Sequence, residues 1–82
     1  MKKIESPDSI YPSNPYTWEE LAYIQRGAYE FTLRRSPNNE IILDWGATGA
    51  GEGGEWYLVA PEEITGGYET FLTAYCDEMM DV

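Results

Sequence analysis

The groups in this chain that could do chemistry are nearly all carboxylates. Two adjacent pairs, Glu62–Glu63 and Asp77–Glu78, have the composition for acid–base work or for holding a hard cation, and one thiol, Cys76, has the composition of a nucleophile. Paired carboxylates catalyse when their environments push the two pKa values apart, which normally takes a cleft. An 82-residue domain offers little cleft. A calcium loop sets oxygens at alternating positions around a glycine turn, and no Asp-x-Asp-x-Asp-Gly run occurs. Histidine is absent, which removes the usual general base near neutral pH and the commonest transition-metal ligand. A single cysteine permits neither an intrachain disulfide nor a zinc cluster. Cys76 also falls within an apolar stripe, so it reads as a buried, inert thiol. These residues point away from an enzyme, a cofactor or a metal site.

Gly49-x-Gly51-x-x-Gly54 matches a dinucleotide fingerprint in letters. The chemistry requires a helix N-terminus directly after the loop to meet the phosphate. Here the loop carries Glu52 and leads into a strand-like run, so it reads as a connection between strands, or as a flap that orders on a partner.

The elements that position these groups follow from periodicity. Pro7, Pro12 and Pro15, with Asp8, Ser9, Ser13 and Asn14, make residues 1–16 an extended, turn-rich arm, with Ile4, Ile10 and Tyr11 available to pin it. Thr17 and Glu20 form a capping box, Glu19 and Glu20 sit early, Arg26 sits late and Gly27 stops the run, so residues 18–26 are expected to be helical. Tyr29, Phe31 and Leu33 alternate with polar neighbours over 28–35, and Ile41, Leu43 and Trp45 do so over 40–45, which predicts a hairpin across Ser36–Asn39. Residues 55–60 read as a third strand, with Trp56 and Leu58 on the face of the C-terminal helix and Ile42, Tyr57 and Val59 opposite, either exposed as an interface or covered by helix 18–26. Pro61–Ile64 reads as a turn or one short helical turn. Tyr68, Phe71, Leu72, Tyr75, Cys76 and Met79 form the stripe of an amphipathic helix. The expected fold is α+β, a three-stranded antiparallel sheet with a short N-terminal helix and a C-terminal amphipathic helix (α-β-β-β-α), over residues 17–82 as one domain.

Charge is the sharper clue to partners. All five basic residues lie within residues 1–35, balanced there by five acids, and the ten acids of residues 36–82 carry the whole formal charge of −10. Ten carboxylates without an interspersed base exceed what a mixed solvated surface needs. Such a field attracts cationic partners and repels nucleic acid and anionic membranes. The expected contact surface is Glu62, Glu63, Glu69, Asp77, Glu78 and Asp81, with Glu52, Trp45 and Tyr57 near the glycine loop as a secondary part. MKKIESPDSI has no apolar run after its lysines and no stretch reaches the length of a membrane span, so the cytoplasm is the expected location.

In composition the chain resembles the small acidic counter-defence proteins of bacterial viruses, including anti-CRISPR and anti-restriction proteins, a likeness of class without a shared motif. It implies an inhibitor that occupies the Lys/Arg groove of a basic nucleic-acid-binding protein by charge mimicry. An immunity protein or antitoxin neutralising a basic toxin has the same physics. A structural or adaptor subunit using Tyr57 and the glycine loop would bind with less sensitivity to salt. A three-stranded sheet leaves two open edges, so the chain is expected as a monomer or homodimer.

Overall fold

Alternating apolar and polar side chains build a sheet larger than the sequence pattern implies. A computed structural model describes residues 1–5, 10–11, 13–48 and 54–80. It contains β1 (Lys2–Ile4), a 3-10 turn (Pro15–Thr17), β2 (Glu19–Arg26), β3 (Tyr29–Arg35), β4 (Ile41–Ala47), β5 (Glu55–Val59), a second 3-10 turn (Pro61–Glu63) and α1 (Tyr68–Met80). The strands form one antiparallel sheet of five, in the order β1-β5-β4-β3-β2. The expected three-stranded sheet with an N-terminal helix over 18–26 is therefore corrected: among the described residues the elements are a five-stranded sheet and a C-terminal helix, and 19–26 is a strand, still α+β.

The error is local and physical. Glu19–Arg26 satisfies helix-end rules, but its side chains also alternate, with Tyr23 and Gln25 exposed and Ala22, Ile24 and Arg26 half-buried. Pairing with all of β3 decides the outcome, as tertiary contacts commonly override helix propensity. Gly27, read as a helix stop, is instead the first residue of a two-residue hairpin loop joining Arg26 to Tyr29. Its φ of +60° suits both roles. A Cβ at Gly27 would touch nothing within 4 Å, so Gly27→Ala isolates the backbone cost. We expect it to lower stability by about 1–2 kcal/mol, read from the urea midpoint.

Residues 2–4 of the N-terminal arm are extended and paired to β5. Asn14 accepts the Tyr16 backbone N–H at 3.0 Å and Thr17 donates its hydroxyl to the Asn14 carbonyl at 2.6 Å, so Thr17 closes the 3-10 turn rather than opening a helix. Of the expected pins, Ile4 and Tyr11 are buried, whereas Ile10 is exposed.

Each sheet face carries its own cluster. On one, Phe31, Leu33, Ile41, Leu43 and Val59 meet Leu72 and Cys76 of α1, with Tyr68, Phe71 and Tyr75 alongside. The helix stripe is as expected except at its last member, Met79, which is exposed. α1 lies mainly along β2, and next along β3. The other face holds Ile42 with Ile4, Tyr11 and Trp18, flanked by Trp56 and Leu58.

The register also reverses the expected orientation of β5. Ile41 pairs with Val59 and Leu43 with Tyr57, so Tyr57 and Val59 share the α1 face, while Leu58 lies beside Ile42 on the other. Among the described residues, that second face is covered by Ile4, Tyr11 and Trp18, and the expected cover, residues 18–26 as a helix, is instead largely β2. Trp18 sits edge-on to Tyr11 with centroids 4.9 Å apart, and its indole N–H donates to Ser13 Oγ at 2.8 Å.

Candidate functional site

The fold spends the chain's cations internally. Lys3 pairs with Glu55 at 3.2 Å, Arg34 with Asp44 at 3.1 Å and Arg35 with Glu19 at 3.7 Å, and Arg26 bonds Asp77. Among the described residues, Lys2 is then the one basic side chain without a carboxylate partner. Apart from the buried Arg34–Asp44 pair, these pairs are largely exposed and add little stability. Their larger consequence is electrostatic, because among the described residues the acids outside these pairs have no basic side chain opposite them, and only Glu63 meets another positive group, the Met1 amino terminus.

Those acids are arranged by two elements. Pro61 opens the 3-10 turn that carries Glu62 and Glu63. Glu62 is exposed. Glu63 turns back on the fold: it accepts the Ala60 N–H at 2.8 Å and the Met1 amino group at 2.8 Å. These donors hold its carboxyl below the usual range. A carboxylate whose folded pKa is depressed contributes stability that is present above its unfolded value and lost as pH falls through the folded one. We therefore expect Glu63→Gln to remove part of the acid-side loss of stability, seen as a shallower fall of the urea midpoint below about pH 4.5. An unchanged slope would show that Glu63 is not held in this way.

On α1, Glu69 stands in the first turn and Asp77 and Glu78 in the last, all three exposed. At 1.5 Å per residue the two groups are roughly 12 Å apart along the axis, and at about 100° per residue Asp77 lies about 80° and Glu78 about 180° around the axis from Glu69, so Glu69 and Glu78 stand on opposite flanks of α1. Asp77 is occupied by Arg26. α1 carries no basic residue in its last turn, so Glu78 faces the negative end of the helix dipole with no cation opposing it. The predicted acids thus form two groups at opposite ends of one helix, not one cluster. Glu52 and Asp81, with the Gly49–Gly53 part of the loop, lie outside the described residues.

The two aromatic candidates are half-buried. Trp45 stacks on Phe31 with centroids 5.9 Å apart and planes inclined by 16°. Its buried Nε1 has no acceptor in hydrogen-bond geometry among the described residues, although the indole lies near enough to Tyr75 to oppose slightly that phenol's rise to about 12 on burial. Tyr57 packs at the margin of the α1-face cluster. Cys76 is fully buried and burial raises its thiol pKa, which leaves it unreactive. Among the described residues, no three His, Cys, Asp or Glu side chains converge on a possible metal position, and no helix is long and apolar enough to cross a membrane.

Sequence reasoning missed the internal pairing of the cations. Only Arg34–Asp44 had a readable signal: in the β3–β4 hairpin Thr32 opposes Asp44 and Arg34 opposes Ile42, which makes Arg34 and Asp44 diagonal neighbours. Arg26 and Asp77 meet across 51 residues of chain. No protein-family model, curated protein or solved structure matches this chain.

Proposed function

We propose that the protein is a small acidic inhibitor that binds a basic nucleic-acid-binding protein and occupies its groove as a charge mimic, in the manner of a phage counter-defence protein acting in the host cytoplasm. The observation that carries this reading is the internal use of the cations, which leaves Glu62, Glu69 and Glu78 exposed without opposing charge. Glu69 and Asp77 lie about 80° apart around α1, and their axial spacing of roughly 12 Å compares with three to four nucleotides of one strand at about 3.4 Å each, while Glu78 stands on the opposite flank from Glu69. Glu78 costs the free protein stability at the helix C-terminus, and a partner's Lys or Arg relieves that cost on binding. Glu63 and Asp77 serve first as structural partners of Ala60 and Arg26 and add to the field. Glu52, Asp81, Trp45 and Tyr57 are assigned to the border of the same contact. A neutralised basic toxin fits the same surface, and the identity of the captured protein separates the two.

The test is capture from bacterial lysate on the immobilised protein at low and moderate salt, followed by competition with DNA or RNA. A basic effector that elutes as salt rises and is displaced by nucleic acid supports mimicry. Reversal of Glu69, Asp77 and Glu78 to Lys should weaken that capture at least about tenfold at low salt, chiefly through slower association. Capture unchanged by the reversal, or insensitive to salt, sinks the proposal.

A further inference from the structure

β2 is one of the two edges of the sheet, and its sequence, Glu19-Glu20-Leu21-Ala22-Tyr23-Ile24-Gln25-Arg26, is complementary to itself when reversed. The backbone limits how that edge can be used. Arg26 and Tyr29 flank a two-residue loop, so they form a hydrogen-bonded pair, and Ile24–Phe31 and Ala22–Leu33 repeat it at every second rung. The N–H and C=O groups of Ala22, Ile24 and Arg26 are thus used towards β3. Those of Tyr23 and Gln25, and of Glu20 beyond the bulge between Glu20 and Ala22, point to the open edge. An added antiparallel strand must oppose outward-pointing residues to outward-pointing residues.

We propose that a second copy of this chain docks here, its β2 antiparallel to the first about a two-fold axis through Tyr23. In that register Tyr23 faces the second copy's Tyr23 and Ala22 faces the second copy's Ile24. With Leu21 taken up by the existing bulge, Glu20 then faces Gln25 and Glu19 faces Arg26. No like charges oppose one another on the ladder. Arg26 already holds Asp77 and Glu19 already lies 3.7 Å from Arg35. Each end of the junction therefore becomes a row of alternating sign, from Asp77 through Arg26 to the second copy's Glu19 and Arg35. Tyr23, 45% exposed in the single chain, gains a cross-strand aromatic partner of the kind that stabilises sheets. The other edge, β1, has three residues and offers too short a ladder. Closed two-fold pairing also removes an open edge that would otherwise template aggregation. The junction shares Asp77 with the acids of α1, through Arg26, but leaves Glu62, Glu69 and Glu78 outside it, so the ladder does not depend on what those three bind.

The experiment is sedimentation equilibrium of the intact chain, at about 0.15 M salt and above, where repulsion between two acidic bodies is screened beyond roughly 8 Å. It is paired with oxidative cross-linking of Tyr23→Cys and Gln25→Cys. Paired residues at the hydrogen-bonded rung on the axis have Cα atoms about 5.5 Å apart, within disulfide reach, whereas the two copies of residue 25 lie on the order of 13 Å apart. A concentration-dependent dimer, with efficient cross-linking at 23 and not at 25, is expected. Arg26→Glu should weaken the dimer about fivefold or more, and the exchange Glu19→Arg with Arg26→Glu should recover most of that loss. A monomer up to about 1 mM, in the range of the weakest specific complexes, overturns the proposal. A dimer that cross-links at 25 as readily as at 23, or at neither, overturns it equally.

Discussion

Asp44→Ala should destabilise the fold by roughly 3–5 kcal/mol, because it strands the Arg34 guanidinium beneath the Tyr11–Trp18 segment. The Arg34 and Asp44 side chains are 11% and 12% exposed and 3.1 Å apart. Arg34 also lies 5.1 Å from the centre of the Tyr16 ring, and the Pro15 carbonyl accepts from it at 3.5 Å. Even so, Asp44 titrates above its ordinary value: burial raises it more than the charge and hydrogen bonds of Arg34 lower it. The attraction does not fully offset the desolvation, which is the regime in which apolar replacement of both partners is tolerated. The double change Arg34→Met with Asp44→Leu is therefore expected to recover most of the stability lost in Asp44→Ala, measured by urea unfolding of the three proteins. If the double variant were as unstable as the single one, the pair would be a net stabiliser. The pH sign follows from the raised value. As pH falls through the folded pKa, the native state binds its proton before the unfolded chain does, so this group alone shifts stability towards the fold, opposite to Glu63.

Phe31→Ala should cost a similar amount, about 3–5 kcal/mol, by a different route. Phe31 is fully buried, stacks on Trp45 and meets Tyr75 edge-on at 6.1 Å. It thereby joins β3 and β4 to α1. Its removal leaves a cavity bounded by two large rings that are themselves anchored, so the site collapses poorly. Thermal unfolding should show the loss as a large fall in Tm, while Phe31→Leu retains more than half of the difference. A Phe31→Ala variant within about 1 kcal/mol of the parent would show that the cluster repacks freely.

Most of the fold was readable where side-chain period and burial agree. β3 and β4 alternate in sequence and α1 carries its stripe over three turns, so these three elements were placed correctly, although both sheet faces are covered and Thr32, Ile42 and Asp44 are buried as well. β5 was placed as a strand with its faces exchanged. The misreadings occurred where two readings satisfied the local rules equally. Thr17, Glu20 and Gly27 stand at helix-cap spacing, yet Thr17 binds the Asn14 carbonyl and Gly27 begins a hairpin loop. Lys2–Ile4 has too few residues to show a period, and its strand exists only because Tyr57 and its neighbours lie alongside. The face of β5 depends on how many residues separate it from β4 in the ladder, a parity that the long glycine-rich connection conceals. The acids of the candidate surface were visible as residues, but their availability was not. That depends on which cations are taken up by distant partners, as in Arg26 with Asp77 and Lys3 with Glu55.

The placement of β1 has a kinetic consequence. β2 to β5 follow one another as adjacent antiparallel neighbours, each pairing closed by a connection short enough to form early. β1 joins a strand about fifty residues further along the chain, and the entropy of closing so long a loop is recovered only once β5 is already in place. β1 is therefore the last strand to dock and the first to open. Amides on the β1 side of β5 should exchange with solvent ahead of those in β3 and β4, as native-state hydrogen exchange would show.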